Sequence, residues 1–483
     1  MLLALAIVLC VASGYLMVKL TWPTGSACDR ILCFSLSIGF GLGFFSATFF
    51  ACRALNLEHL NLQHILTIDV SCFALLSGSC FLRQRYRKAI DFPRSSNRDL
   101  ELPGGLHPFL ITAVIVTLAA AFYSSVKLAI AHPHGEGWDA FSIWNLHARF
   151  LFLGGNHWRD GLSPLIPWSH PDYPLLLPGA IAHFWMYLCN DSSAIPAAIG
   201  LAFTFSTLGL LYGSLERVRG RTAAMLGLMT LASTPFFIEQ GSAQYADVPL
   251  SFFFLASIAS LSMYDQLPAN EARDRGLIVL AGLALGCAAW TKNEGVLFLF
   301  AIIVASLLVL VLDKRQEIAA SELQPIPSAW SLLVTLVLAA APIFGLVLWL
   351  KHVAPRGDLF QAPVIMLQKV LTPARYWAIL KWYVKQFFRF GEWWPVPATL
   401  LFPALYVVLS DRHTAPIPKS RSIALWTLGL TLAGYFVIYV ITPNELYWHL
   451  RFSLNRLFLQ LWPSIIFLFF SSVSFRSFNN VSK

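Results

Sequence analysis

Apolar stretches of about twenty residues recur from one end of this chain to the other, and no other feature constrains its fold as strongly. A helix needs roughly 20 mostly apolar residues to cross the hydrocarbon core of a bilayer. Charged residues make up only 12% of the 483, against about 25% in a soluble domain. The chain therefore reads as an all-α polytopic membrane protein. Candidate spans are 2–20, 31–52, 60–82, 107–131, 194–215, 222–239, 248–264, 276–291, 296–312, 329–350, 394–410, 423–441 and 456–473, about thirteen in all. The first of them has no Lys or Arg ahead of its apolar run, and Lys19 follows it. A secretory signal would carry its charge first, so a retained span is expected.

The formal net charge of +9 does not point to nucleic acid. The cations sit in short loops between spans, which is a signature of membrane orientation, and no basic face or base-stacking motif accompanies them. The most basic loop is 83–106, with Arg83, Arg85, Arg87, Lys88, Arg94 and Arg98 against three acids. Placing it in the cytoplasm puts Arg217/Arg219/Arg221, Arg273/Arg275, Lys314/Arg315, Arg412/Lys419/Arg421 and the tail with Arg476 and Lys483 on the same side. The N-terminus is then outside and the C-terminus inside. Parity holds provided that the apolar stretch 173–188 lies at the external interface without crossing. It is short, begins Pro-Asp-Tyr-Pro after His170 and Pro171, and carries His183, Trp185 and Tyr187, residues suited to that position. The external regions are 132–193, 240–247 and 351–393, with smaller turns near 292–295 and 442–455.

The eight cysteines lie mostly within spans or at their ends, with no C-x-x-C, and read as small packing residues without a disulfide or zinc role. No G-x-x-x-x-G-K-[ST] occurs, so nucleotide hydrolysis is not expected. Chemistry belongs to the outer face, where polar residues gather. Loop 132–193 holds six of the twelve histidines and five tryptophans, yet no spacing such as H-E-x-x-H that would specify a metal. It also holds Asp139, an acid at the edge of a hydrophobic helix, where charge is expensive and functional by default. Asp247 stands at the entry to span 248–264; it reads either as a helix cap or as a site acid. Lys292, in the turn Thr291-Lys292-Asn293-Glu294-Gly295, either snorkels or holds a phosphate. Lys381, Lys385 and Arg389 recur every four residues opposite Trp377, Leu380, Val384, Phe387 and Phe388, the pattern of a helix in the headgroup region. Arg456 stands at the external end of the last span, against the positive-inside trend. Its planar fork suits phosphate or an ion pair with Asp139, Asp247 or Glu445.

With these residues in view, the chain resembles the C-type glycosyltransferases, the superfamily of protein O-mannosyltransferases and lipid A aminoarabinose transferases. Gly137-Trp138-Asp139-Ala140, then His170-Pro171-Asp172-Tyr173-Pro174, then Ala246-Asp247-Val248-Pro249 before a Gly-rich helix ending Thr291-Lys292 carry the likeness, over about 107–300. On this resemblance 107–312 is the catalytic core, 1–106 a three-span N-terminal extension with a cytoplasmic basic loop, and 313–483 a set of C-terminal spans with the amphipathic loop 351–393. The implied reaction moves a sugar from a polyprenyl-phosphate donor to a glycan, lipid or protein acceptor, with inversion, on the outer side of a bacterial-type inner membrane. Asp139 would be the base and Asp247 the second catalytic acid. His170, Tyr173, Lys292, Glu294, Arg451 and Arg456 would bind substrate, with the cations facing the phosphate and His170 orienting substrate. The chain departs from the pattern in having one acid in its first motif and no D-x-D in its second loop. No metal ligand is therefore assigned, and a divalent ion is left open as a cofactor. Membrane lipids are expected partners and nucleic acid is not. The alternatives are a lipid-linked glycan flippase or other transporter, and a glycan polymerase or ligase.

Overall fold

The computed structural model describes residues 1–23, 28–55, 60–86, 106–267, 274–320, 329–357, 359, 363–392, 404 and 418–473. Among these the chain is helical, with no strand. The helices are α1 (Leu2–Thr21), α2 (Arg30–Ala54), α3 (Leu62–Tyr86), α4 (Leu106–Ala131), α5 (Leu146–Leu153), α6 (Leu176–Leu188), α7 (Ala194–Arg219), α8 (Arg221–Ala232) and α9 (Pro235–Ser242). They continue as α10 (Asp247–Tyr264), α11 (Gly276–Thr291), α12 (Asn293–Ala320), α13 (Ala329–Val353), α14 (Pro363–Val370), α15 (Pro373–Arg389), α16 (Lys419–Ile441) and α17 (Leu446–Ser472).

Ten of the described helices are long and apolar enough to cross a membrane, or eleven if α8 and α9 are taken as one bent span. The expectation of about thirteen differs for three reasons. Span 394–410, residue 404 apart, lies outside the described residues. The 276–291 stretch forms α11, a 16-residue helix, which at 1.5 Å per residue reaches about 24 Å. The 222–239 stretch breaks: α8 and α9 meet at 65°, because Pro235 cannot continue the hydrogen-bonding of α8 and instead starts α9. The last span also begins earlier than expected. Glu445 accepts hydrogen bonds from the backbone N–H of Tyr447 and Trp448, so most of the anticipated turn 442–455 is the first part of α17.

α10 is the centre of the bundle, with nearly every residue buried against α7, α11 and α17. α3, α4 and α13 form an outer rim that is mostly exposed, as suits faces turned to lipid. α6 differs from the surface helix expected of 173–188. Leu176 to Tyr187 are all buried, because α6 is packed on α2 and α5. At 13 residues it is about 20 Å long, shorter than the core of a bilayer. α15 keeps its amphipathic character, with only Ala378 and Ile379 buried and Trp377, Leu380, Val384, Phe387 and Phe388 exposed.

The ionic contacts separate into two ends of the bundle. At one end Arg83 pairs with Asp274 at 3.4 Å, Arg217 with Asp29 at 3.5 Å, and Ser420 N–H donates to Asp265 at 2.7 Å. Of the basic residues expected to share a side, these are among the described ones; Arg87, Lys88, Arg94, Arg98, Arg273, Arg412, Arg476 and Lys483 lie outside the described residues. The other end gathers Asp139, Asp247, Lys292, Lys351 and Arg456; because α17 starts at Leu446, Arg456 lies within this helix and not, as expected from the sequence, at its end.

Candidate active site

Beyond α4 the chain turns sharply, and this turn aims Asp139. Gly135 and Gly137 have φ of +84° and +79°, a region L side chains avoid. A Cβ on Gly137 would also come within 2.5 Å of the Tyr245 hydroxyl. The turn is fastened to the segment before α10. Glu136 N–H donates to Ala243 O at 3.3 Å, the Gln244 amide to Pro133 O at 3.1 Å, and the Asn145 amide to the Gln244 side-chain oxygen at 2.9 Å. Residues Ala140–Asn145 then form a π-helical turn, a local irregularity common at functional sites.

Asp247 is the first residue of α10 and is wholly buried. The cap reading does not describe it: Ala246 holds the N-cap position, and partners from one other helix, α17, and from the turn after α11 take both carboxylate oxygens. Oδ1 accepts from Lys292 Nζ at 2.9 Å and Gln460 Nε2 at 2.6 Å. Oδ2 accepts from Arg456 Nε and Nη2, each at 2.8 Å. Lys292 sits where the backbone leaves α11 and turns extended, and its ammonium also meets Glu294 Oε1 at 3.0 Å. Burial opposes its charge, but Asp247 and Glu294 outweigh burial and hold its pKa above the ordinary lysine value.

Arg456 completes the arrangement. Its Nη1 reaches Asp139 Oδ2 at 2.7 Å, and its guanidinium lies 4.5 Å from the centre of the Tyr245 ring, a cation–π contact. Burial and the neighbouring Asp139 push the Tyr245 phenol up to about 12, so it stays neutral. Of the three acids the sequence left open as Arg456 partners, it pairs with Asp139 and Asp247; Glu445 caps α17. The ion pairs form one chain, Glu294–Lys292–Asp247–Arg456–Asp139. Buried charges of this kind stabilise weakly at best, and their concentration beside a partly exposed acid makes this a candidate functional site.

A second polar group adjoins the first through the same turn. The Asn293 amide donates to Asp172 Oδ2 at 3.1 Å, and Lys351 Nζ donates to Asp172 Oδ2 at 3.0 Å and to Asn293 Oδ1 at 2.8 Å. His170 and Tyr173 flank Asp172. Their rings stack at 4.6 Å, His170 in the left-handed region at φ +50°, and Tyr173 approaches Trp144 at 5.8 Å. The structure thus brings Asp139, Asp247, Lys292, Glu294 and Arg456 into direct contact and sets His170 and Tyr173 in the adjoining group. Arg451 is exposed over the Phe452 ring; five residues before Arg456, it points about 140° away around the helix. Sequence reasoning missed Gln460, Tyr245, Asn293 and Lys351. Gln460 carried a signal, since four residues after Arg456 it shares that face of the helix. Among the described residues no three His, Cys, Asp or Glu side chains are grouped to hold a metal.

Residues 187–353 match the family model of the dolichyl-phosphate-mannose-protein mannosyltransferases. The chain is a membrane glycosyltransferase that takes its sugar from a lipid-linked donor. The matched stretch, about a third of the chain, contains Asp247, Lys292, Glu294 and Lys351. Asp139, His170, Tyr173 and Arg456 lie outside it and meet the matched residues through the contacts above. The C-type likeness drawn from short motifs therefore stands on a second footing. No curated protein and no solved structure matches the chain.

Proposed function

We propose that the transferase moves a sugar from a polyprenyl-phosphate donor to an acceptor hydroxyl in a single inverting displacement at this ion-pair chain, on the outer side of a bacterial-type inner membrane. The acceptor oxygen attacks the anomeric carbon, the bond to the phosphate oxygen breaks, and the phosphate leaves with the electron pair. Asp139, the partly exposed member, takes the hydroxyl proton as general base. Asp247, fully buried and fourfold donated, is the fixed anchor that aims Lys292 and Arg456 at the charge growing on the phosphate. One observation supports this reading above the rest: a single guanidinium holds both acids, so the base and a cation for the leaving group share one rigid mount.

The charge pattern of the loops supports the outward direction, since Arg83 and Arg217 of the basic loops pair at the opposite end of the bundle. The bend between α8 and α9 favours a transporter, whose binding sites use broken helices near the bilayer centre. Here, however, the segment after the bend leads to Gln244, Tyr245 and Asp247 at the end of the bundle, which favours transfer. Purified protein in proteoliposomes, given a polyprenyl-phosphate sugar and an acceptor extract, should yield a product whose anomeric configuration by NMR is opposite to the donor's. Retained configuration would remove the single displacement, and movement of the donor across the bilayer with no product would favour the transporter.

A further inference from the structure

The sequence set the N-terminal spans apart from the catalytic core, but α2 reaches into the framework of the site. Two chain segments carry the polar groups described above: 172–175, with Asp172 and Tyr173, and 290–294, with Lys292, Asn293 and Glu294. They are joined twice. The outer joint is Asn293 and Lys351 on Asp172. The inner joint is made by a residue of neither segment. Ser46 of α2, wholly buried, accepts from the Trp290 indole N–H at 3.0 Å and donates to the Leu175 carbonyl at 3.1 Å. One hydroxyl therefore uses its proton on one segment and a lone pair on the other, two residues from Lys292 and three from Asp172.

The surroundings hold that hydroxyl in place. α6 begins just past Leu175, and a Cβ at its Gly179 would lie 2.5 Å from Ser46 Oγ, so only glycine lets the two helices approach this closely. One residue earlier, the Phe45 carbonyl meets His183 Nδ1 of α6 at 3.0 Å. A carbonyl can only accept, so Nδ1 carries a proton. The other ring nitrogen of His183 meets Asp69 Oδ2 of α3 at 2.8 Å, and the Tyr187 hydroxyl donates to the same oxygen at 2.6 Å. All three side chains are buried. α6 is thus fixed to α2 and α3 by polar contacts within a region otherwise apolar, where such contacts have few competitors.

We propose that Ser46 is a positioning residue for Lys292: through Trp290 it fixes the turn that delivers the ammonium to the site, and through Leu175 it holds that turn in register with the Asp172–Tyr173 segment. This rests on the reading above that Lys292 faces the departing phosphate. A hydrogen bond between membrane helices contributes little to stability, whereas displacement of a catalytic group by about 1 Å can cost on the order of a hundredfold in rate. Loss of the Ser46 hydroxyl should therefore appear in turnover more than in folding.

The test is a double-mutant cycle on sugar transfer by the full-length protein in detergent, with Ser46→Ala, Trp290→Phe and the two combined. Trp290→Phe removes the indole N–H and keeps an aromatic ring against Phe50, whose centroid lies 4.7 Å from that of Trp290. Each single variant should lower kcat about tenfold with the donor KM nearly unchanged and the thermal midpoint at the parental value. The double variant should be no slower than the slower single one, since both remove the same bond. Single variants with full kcat, or losses that multiply in the double variant, would overturn the proposal. Lys292→Met separates the two layers. If it abolishes transfer while Ser46→Ala is fully active, the positioning role alone fails; if Lys292→Met is fully active, the reading of the site fails beneath it.

Discussion

The two ends of the bundle carry similar residue types and use them differently. At the end with the described basic loop residues, Arg83 pairs with Asp274 and Arg217 with Asp29. Each pair joins one helix end to another. At the opposite end, five charged residues form one connected chain whose middle acid is wholly buried. The difference teaches that charge at a membrane edge is a poor marker of function by itself. The end proposed to be active carries several buried charges held by one another and opening onto a partly exposed carboxylate.

Removing the middle of the chain should have the largest effect. Asp247→Ala leaves Lys292 and Arg456 buried without their shared acid, a loss of about 3–5 kcal/mol for a broken buried pair. It should abolish transfer and sharply lower the thermal midpoint; a stable, active variant would make the chain incidental. Lys292→Met should reduce transfer on the order of 10²–10³-fold, the magnitude for a group that stabilises developing charge, with a smaller stability loss. At the other end, Arg83→Gln should leave transfer within about twofold, because its pair with Asp274 lies at the opposite end of the bundle from the proposed chemistry. A loss comparable to that of Lys292→Met would erase the contrast between the ends.

The smallest effect concerns pH. Burial, with His170 alongside, lowers the His147 imidazole from its ordinary 6.5 to about 4. The folded state holds the ring neutral while the unfolded state takes up the proton below 6.5. Its contribution to stability is therefore complete above about 6.5 and is lost as pH falls towards 4. Thermal midpoints measured across that window should fall on acidification, and His147→Gln should flatten the decline. An equal slope in the variant would assign the pH dependence to other groups.

The helical membrane class was legible because apolar length and backbone satisfaction leave little choice. Asp139, Asp247, Lys292 and Arg456 were legible because a charge at a span end is costly and invites a reason. Loop charge parity predicts their common end. Other parts carried no such mark. Ser46 is one hydroxyl in an apolar helix, and nothing local shows that it bridges two distant segments. Tyr245 and Asn293 look like ordinary turn residues until tertiary packing brings Arg456 and Asp172 against them. The break at Pro235 had a local signal, but a proline within an apolar run also fits a kinked single span. Arg451 was assigned by charge alone, and the helical repeat turns it away from the site.

The measurement closest to the central claim is sugar transfer by Asp139→Asn, assayed with the native lipid-linked donor alongside the thermal midpoint of the same preparation. Asn keeps the size of the side chain and an oxygen that can accept from Arg456, but it cannot take up the acceptor proton. Transfer should fall on the order of 10²–10⁴-fold, the range for a general base, while the midpoint moves little because Asp247 still anchors Arg456. Full transfer by this variant would contradict the account.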